Sequence, residues 1–440
     1  MVKVMQKVFL KSVLIIFNFN CKQDAKIQEN TTETELSDYY TEPYRPQFHF
    51  TPEEKWMNDP NGLVYSNGKY HLFYQYYPDS TVWGPMHWGH AVSKDLLKWE
   101  HKPIALFPDK HGLIFSGSAV IDKENTSGFG TKEKPAMVAI FTYHDMEGEQ
   151  SGKNDFQTQG IAYSLDDGDS WTKYEGNPVI GNDGIKDFRD PKVFWNEKDK
   201  NWTMLLVAGN HLQIWNSPNL KEWKKVSEFG KDKGAHGGVW ECPDLFPLKI
   251  EGSDEEKWVL LISINPGAPN GGSGTQYFIG DFDGTTFSTD QTESRWIDFG
   301  RDNYAGVTYN RTPNNERIFI GWMSNWDYAR DTPTEKWRSA MTVPRKLTLR
   351  KIEGEVFLVN YPLDNMKGVE DKANLANQFE LTNNQKKEMP LKYGNQSEIR
   401  FTVKNPKMKL YFSNEVGDSL AIVIDRENKM VTFDRDKSGK

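Results

Sequence analysis

Between residues 45 and 345 helical periodicity is nearly absent, and this absence constrains the chain more than any other feature. In its place stand short strand-like runs: Tyr70–Tyr77, Ala136–Tyr143, Gly160–Ser164, Lys192–Trp195, Trp202–Ala208, Trp258–Ile264, Thr275–Phe282, Gly306–Tyr309 and Arg317–Trp322. Asn-Gly, Asp-Gly and Asp-Asp-Gly turn sequences separate them, so the fold is all-β. One pattern recurs. Ser93-Lys-Asp-Leu-Leu-Lys-Trp99, Ser164-Leu-Asp-Asp-Gly-Asp-Ser-Trp171 and Ser217-Pro-Asn-Leu-Lys-Glu-Trp223 each set a serine, an acidic or amide turn, and a tryptophan heading a Lys/Glu-rich outer strand. An irregular repeat with four short strands per unit predicts propeller blades, and about 300 residues at about 60 per blade give five. A sandwich with long loops is the competitor, but it has no reason to repeat this turn.

After Pro344 the character changes. Arg345–Asn360 reads as strand, turn, strand, and strand-like Leu410–Phe412, Leu420–Ile424 and Lys429–Phe433 alternate with polar runs. The expected organisation is a leader over 1–21, a tether over 22–43, a five-bladed propeller over 44–345 and a partial β-sandwich over 346–440. Aromatics form 13% of the 440 residues, with 15 Trp, beside 35 Gly and 22 Pro. This suits sheets and tight turns, and also flat rings that stack on sugar C–H faces. With 54 Lys+Arg against 62 Asp+Glu the net charge is −8, and no basic tract offsets it. Nucleic acid is therefore not an expected partner. No run reaches the roughly 18 apolar residues of a spanning helix.

The N-terminus carries Lys3 and Lys7, then an apolar stretch from Val8 to Phe19 interrupted by Lys11, which is the form of a secretory leader. Cys21 follows directly and resembles the acylated cysteine of a bacterial lipobox, although Asn18 and Asn20 stand where small or aliphatic residues are usual. The expectation is export to the periplasm or cell surface, with lipidation at Cys21 and the Thr/Glu/Lys/Gln-rich segment after it as a spacer. A plain leader with an incidental cysteine, or no export, are the alternatives. With Cys21 acylated, Cys242 has no disulfide partner.

Three segments concentrate carboxylates among Trp, Asn, Pro and Gly: Trp56-Met-Asn-Asp-Pro-Asn-Gly62, Phe188-Arg-Asp-Pro191 and Trp240-Glu-Cys-Pro-Asp-Leu-Phe246. In each a proline follows an acidic residue closely, so the carboxylate sits on restricted backbone. One Asp-Pro alone is usually structural. Three on one β scaffold can converge where a propeller's inner strands meet. Two carboxyls about 5–5.5 Å apart support retaining glycoside hydrolysis, and about 6.5–9.5 Å an inverting route; the sequence leaves this open. The third carboxylate could bind sugar hydroxyls and stabilise positive charge on the ring. No EF-hand loop and no His-Glu-x-x-His occurs, so neither metal nor cofactor is expected. His87 and His90, flanking Trp88 and Gly89, suit a sugar subsite or a packed loop. Cys242 reads as a small buried neighbour of the site rather than a nucleophile.

These blocks, with Phe-Ser-Gly-Ser at 115–118, resemble in content and order the signatures of glycoside hydrolase family 32, the invertases, inulinases, levanases and fructan exohydrolases. The similarity runs over about residues 44–433. It implies a five-bladed propeller followed by a β-sandwich, and cofactor-free hydrolysis with retention. By this resemblance Asp59 is the nucleophile on C2 of a β-fructofuranosyl unit, Glu241 the general acid/base and Asp190 the transition-state stabiliser, with Arg189 beside it. Asn58, Gln75, Trp83, Phe115 and Ser116 line the first sugar subsite. The stretch Phe319–Tyr328 with Thr332-Pro-Thr and Trp337–Arg345 is most similar to exo-acting levanases and inulinases, so fructan polymer or oligosaccharide is the expected substrate. A sucrose-preferring invertase is the first alternative, and endo-acting or transferase activity follows.

Two rivals come from elsewhere. An inverting arabinanase or xylosidase also uses three acids, and a non-catalytic glycan-binding surface lipoprotein would be expected to have lost one. Phe433–Gly439 resembles an internal motif of the family's sandwich, so that domain is expected to be C-terminally truncated. Linkage preference and oligomeric state have no signature in the sequence.

Overall fold

The computed structural model describes residues 40–370, 380–382, 384–390 and 396–439. Sheet I comprises β1 (Lys55–Ser66), β2 (Lys69–Tyr77), β3 (His87–Ser93) and β4 (Trp99–Leu106). Sheet II comprises β5 (Leu113–Asp122), β6 (Ala136–His144), β7 (Gln157–Ser164) and β8 (Thr172–Lys173), with the short helix α1 (Met146–Gln150) between β6 and β7. Sheet III follows with β9 (Phe188–Asn196), β10 (Asn201–Ala208), β11 (Leu212–Ser217) and β12 (Lys224–Phe229). Sheet IV takes β13 (Val239–Lys249), β14 (Glu256–Asn265), β15 (Gly274–Phe282) and β16 (Phe287–Ser288), and β17 (Arg295–Trp296) also pairs with β15. Sheet V opens with β18 (Tyr304–Thr308) and β19 (Arg317–Trp322). The chain then leaves it for β20 (Trp337–Arg338), which pairs in parallel with β1, and returns for β21 (Arg345–Ile352) and β22 (Glu355–Pro362). A separate antiparallel sheet contains β23 (Lys407–Ser413), β24 (Ser419–Asp425) and β25 (Met430–Lys437). The protein is all-β.

The period of two along each strand decides how the sheets pack. On β6, Met137, Ala139 and Phe141 meet Val64, Phe73 and Trp88 of sheet I, while Val138 and Ile140 meet Val193, Met204 and Leu206 of sheet III. Leu205 and Val207 turn the other way, onto Leu260, Ile262 and Phe278 of sheet IV. Val259 and Leu261 in turn cover Phe319, Leu347 and Leu349 of sheet V. Finally Ile318, Ile320 and Trp322 pack on Trp56, Leu72 and Tyr74 of sheet I. Five apolar layers thus join five sheets in sequence, and the fifth layer returns to the first sheet. The first strands β1, β5, β9, β13 and β18 touch one another in the same cyclic order. Asn310, just after β18, locks the return with two backbone bonds, Asn310 N–H to Leu63 O and Tyr65 N–H to Asn310 O, both 2.9 Å.

The recurrent serine motif joins the third strand to the fourth in sheets I, II and III. The Oγ of Ser93, Ser164 and Ser217 accepts from the N–H of Leu96, Gly168 and Asn219 at 2.7, 2.8 and 3.1 Å. Asp95, Asp166 and Asn219 accept further turn N–H groups, so local side chains satisfy the backbone that the sheet releases. The residue three after each serine, Leu96, Asp167 and Leu220, has positive φ (65°, 59° and 65°).

The boundary expected after residue 345 falls inside sheet V. β21 pairs with β19 and β22 with β21, and Leu347, Leu349 and Leu358 fill the layer against sheet IV. The strand–turn–strand reading of 345–360 was correct, but its apolar face has sheet IV to bury against. The tether expected to run to residue 43 ends sooner, because Glu42 already holds buried Arg45 at 2.6 Å. Residues 1–39, Cys21 among them, lie outside the described residues.

Candidate active site

The three acidic blocks occupy the same level of the ring, and each lies in a β-bulge. Register shifts fall between Met57 and Pro60 on β1, Ile114 and Gly117 on β5, and Glu241 and Asp244 on β13. Others fall on β9 around Asp190 and on β18 between Tyr304 and Val307. A bulge inserts an unpaired residue and re-aims its side chain, here toward the centre where the five first strands meet. Pro191 and Pro243 cost little in these bulges, since both fall at unpaired positions of the register. Asp190 and Cys242 take positive φ there, 65° and 46°. Gly117 is required by its bulge, because a Cβ would lie 2.0 Å from Ile140 O.

Asp59 Oδ1 accepts from Asn58 Nδ2 at 3.0 Å and Oδ2 from Ser116 Oγ at 2.6 Å. Asn58 is itself fixed by the Trp56 indole N–H at 2.7 Å. Asp190, 4% exposed, accepts the Cys242 N–H at 2.9 Å. The Cys242 thiol lies 3.7 Å from Asp59 Oδ2 and 3.6 Å from Asp190 Oδ2, so one sulfur bridges two carboxylates. Burial pushes that thiol well above its ordinary range, which keeps it a protonated donor. Glu241 Oε1 accepts Arg189 Nε at 3.2 Å and Nη2 at 3.0 Å, Tyr304 OH donates to Oε2, and Arg189 Nη1 holds Asp187 at 2.6 Å.

Burial and the neighbouring carboxylates push Glu241 up to about 8 against the opposing pull of Arg189. Burial likewise lifts Asp190 to about 6, with Arg189 opposing and Asp59 adding to the rise. Arg189 is held more firmly charged by the three carboxylates around it. Glu241 therefore holds its proton to a higher pH than an ordinary carboxylic acid, the property a proton donor needs near neutral pH.

Six of the residues singled out in the sequence are brought together here. Asn58, Asp59, Ser116, Arg189, Asp190 and Glu241 interlock through the bonds above. Gln75, on β2 next to Tyr74, which pairs with Pro60, is buried with its Nε2 unpaired. Trp83 meets Phe115 edge-to-face at 6.0 Å, and Phe115 stacks on His144 at 4.2 Å. His90 does not join them: it is buried between sheets, 3.1 Å from His71, so the packed reading holds for it. Tyr304, Asp187 and His144 were missed. Tyr304 and His144 sit at strand ends, and only the ring brings them near, whereas Asp187 directly precedes the Phe188-Arg-Asp-Pro191 block and was legible beside it. A cavity of about 420 Å³ beside Tyr65, Ile121 and Arg311 is larger than the crevice at Asp190 and Cys242, but it lies at the far ends of β1 and β5. The carboxylate cluster locates the chemistry better than cavity size does.

The family description "Glycosyl hydrolases family 32 N-terminal domain" matches residues 49–362, ending where sheet V ends. Levanase of Bacillus subtilis (strain 168) is 57% identical over 339 residues, covering 76% of this chain and 49% of the relative. The extracellular exo-inulinase inuE of Aspergillus niger (strain ATCC MYA-4892 / CBS 513.88 / FGSC A1513) is 46% identical over 361 residues, covering 76% and 67%. The chain thus spans about half the length of the levanase. Among solved structures, exo-inulinase from Aspergillus awamori superposes with a TM-score of 0.78 at 39% identity, covering 91% of this chain and 84% of that one.

Proposed function

The chain belongs to glycosyl hydrolases family 32, and from that premise we propose that it is a retaining, exo-acting β-fructofuranosidase. Its substrate in this reading is fructan, levan or inulin, with sucrose as a smaller alternative. The five sheets are a five-bladed propeller, closed by Asn310 and β20, and β23–β25 belong to a following sandwich. The observation that carries the proposal is the bulge-borne triad: Asp59, Asp190 and Glu241 meet on three first strands, with Glu241 pushed up to about 8.

In this mechanism the Asp59 carboxylate attacks C2 of the terminal fructosyl unit while Glu241 gives its proton to the departing glycosidic oxygen. The products of that step are a fructosyl ester on Asp59 and an ionised Glu241. Arg189 and Tyr304, which both donate to Glu241, stabilise that ionised form. Glu241 then takes a proton from water as its oxygen attacks C2, freeing fructose and restoring both groups. Asp190 accepts hydrogen bonds from fructose hydroxyls and opposes the positive charge that develops on the ring. Trp83 and Phe115 wall the subsite, and Asn58 and the unpaired Gln75 amide supply polar contacts that a mismatched sugar would leave unsatisfied.

Chromatography of products from levan, inulin and sucrose, beside Glu241→Gln, tests the reading. Free fructose as the first product, lost in the variant, supports it. A ladder of oligomers would refute exo action, and no release by folded protein would favour the glycan-binding alternative. The same reading places the chain outside the cytoplasm, exported by its leader and held at a bacterial surface by an acyl group on Cys21, because polymeric fructan does not cross membranes. Incorporation of a labelled fatty acid by wild type but not by Cys21→Ala tests that part.

A further inference from the structure

We propose that Arg435, on β25 of the C-terminal sheet, is a positioning residue for the leaving-group side of the pocket. It does so by holding the loop that carries Trp326. The inference rests on the fructosidase reading for its kinetic readout.

The loop from residue 323 to 336 leaves β19 at the pocket end, since Trp322 pairs with Tyr304, whose hydroxyl reaches Glu241. Trp326 is half-buried and stacks on Trp56 at 5.9 Å and 27°, with Trp322 4.8 Å away. Trp56 donates to Asn58, and Asn58 to Asp59. The Trp326 ring is therefore one stacking contact and two hydrogen bonds from the carboxylate that attacks in the mechanism above. Trp83 and Phe115, from sheets I and II, pack against the same apolar layer. The part of this indole left open, with Arg330 5.9 Å over the ring, suits the next sugar unit, which polymer presents repeatedly and sucrose presents once.

Most ties on this loop come from sheets IV and V and the loop itself. Buried Asn325 donates to Arg301 O at 2.9 Å and accepts the Asp327 N–H at 3.0 Å, Arg301 pairs with Asp327, and Arg338 donates to Thr332 O at 2.9 Å. One further tie comes from the C-terminal sheet. Arg435 Nη1 lies 3.1 Å from Asp302 Oδ2 and Nη2 donates to Tyr328 OH at 3.4 Å, while Tyr328 OH donates to Asp302 Oδ1. Its guanidinium also sits 5.8 Å over the Tyr328 ring. Arg435 therefore ties both residues that flank the Trp326 segment in space, and it does so from a sheet that supplies none of the pocket carboxylates.

The test compares Arg435→Ala and Arg435→Lys with Arg400→Ala, which removes another exposed paired arginine, bound to Glu370 and Glu398 and not to the 323–336 loop. For Arg435→Ala we expect KM for levan or inulin to rise about two- to fivefold, the range of one exposed ion-pair network. kcat on sucrose should stay within about twofold on the same scale, with unchanged melting and faster amide exchange over 323–331. Arg435→Lys should recover part of the KM, and Arg400→Ala should match wild type. An unchanged polymer KM with unchanged exchange, or an equal loss of kcat on all substrates, would overturn the proposal. Inactivity of the wild type on every fructoside would instead sink the fructosidase reading, and the exchange comparison would still decide whether Arg435 holds the loop.

Discussion

Replacing Arg189 by Gln should slow the second half of the reaction more than the first. Arg189 places Nε and Nη2 3.2 and 3.0 Å from Glu241 Oε1 and opposes the burial that pushes Glu241 up to about 8. A hydrogen bond to a charged group contributes about 1.5–3 kcal/mol, and unit charges about 4 Å apart at an effective dielectric of about 20 attract by about 4 kcal/mol. The two side chains are 12% and 19% exposed at an open pocket, so solvent screens them and about 2–3 kcal/mol is the better figure. At 1.36 kcal/mol per pKa unit, Glu241 would rise a further 1.5–2 units or so. The acid would survive, but its ionised form, needed to activate water, would cost more. Turnover should fall about 30- to 150-fold, the alkaline limb of the pH–rate profile should move up, and the ester on Asp59 should accumulate. On sucrose, rapid quenching should show a glucose burst ahead of fructose, with a fructosyl adduct on the Asp59 peptide. Arg189→Lys, which keeps the charge but not the fork, should fall between. Equal release of both sugars without a burst, together with an alkaline limb that moves down, would refute the reasoning.

Tyr304→Phe removes the hydroxyl that donates to Glu241 Oε2; the alkaline limb should move up by about one unit with the fold intact, and a fixed limb would contradict the assignment. Glu241→Gln should melt above wild type at alkaline pH. The folded pKa of Glu241 lies above its ordinary 4.5, so its stabilising contribution is complete below 4.5 and lost as pH rises through about 8. A thermal-melting series from pH 5 to 9 should therefore show the variant's advantage shrinking as pH falls. Leu261→Ala empties part of the layer between sheets IV and V; it should cost about 2–5 kcal/mol in urea unfolding while activity per folded molecule holds.

Local chemistry made much of this protein legible in its sequence. The Ser–Asx turns satisfy their own backbone, so Ser93, Ser164 and Ser217 announced strand connections without any tertiary context. The acidic blocks were legible because an acid beside a proline marks restrained backbone; the structure shows that the restraint is a bulge. The strand pair at 345–360 is legible in the sequence but its sheet is not, since nothing in Leu347 or Leu349 names the sheet that will cover it. Tyr304 and His144 escaped for the same reason. Each is an ordinary strand-end residue until ring closure brings it to Glu241 or Phe115. The double contact of the Cys242 thiol with Asp59 and Asp190 likewise depends on two bulges meeting.

The proposed mechanism is double displacement through Asp59 with Glu241 as acid and base. Its most direct test is hydrolysis of levan in dilute methanol, with the configuration of the methyl fructofuranoside read by NMR before any equilibration. The account predicts methyl β-fructofuranoside, formed by wild type and absent with Asp59→Ala. The α-anomer would mean single displacement, and the carboxylates at 59 and 241 would then need different roles.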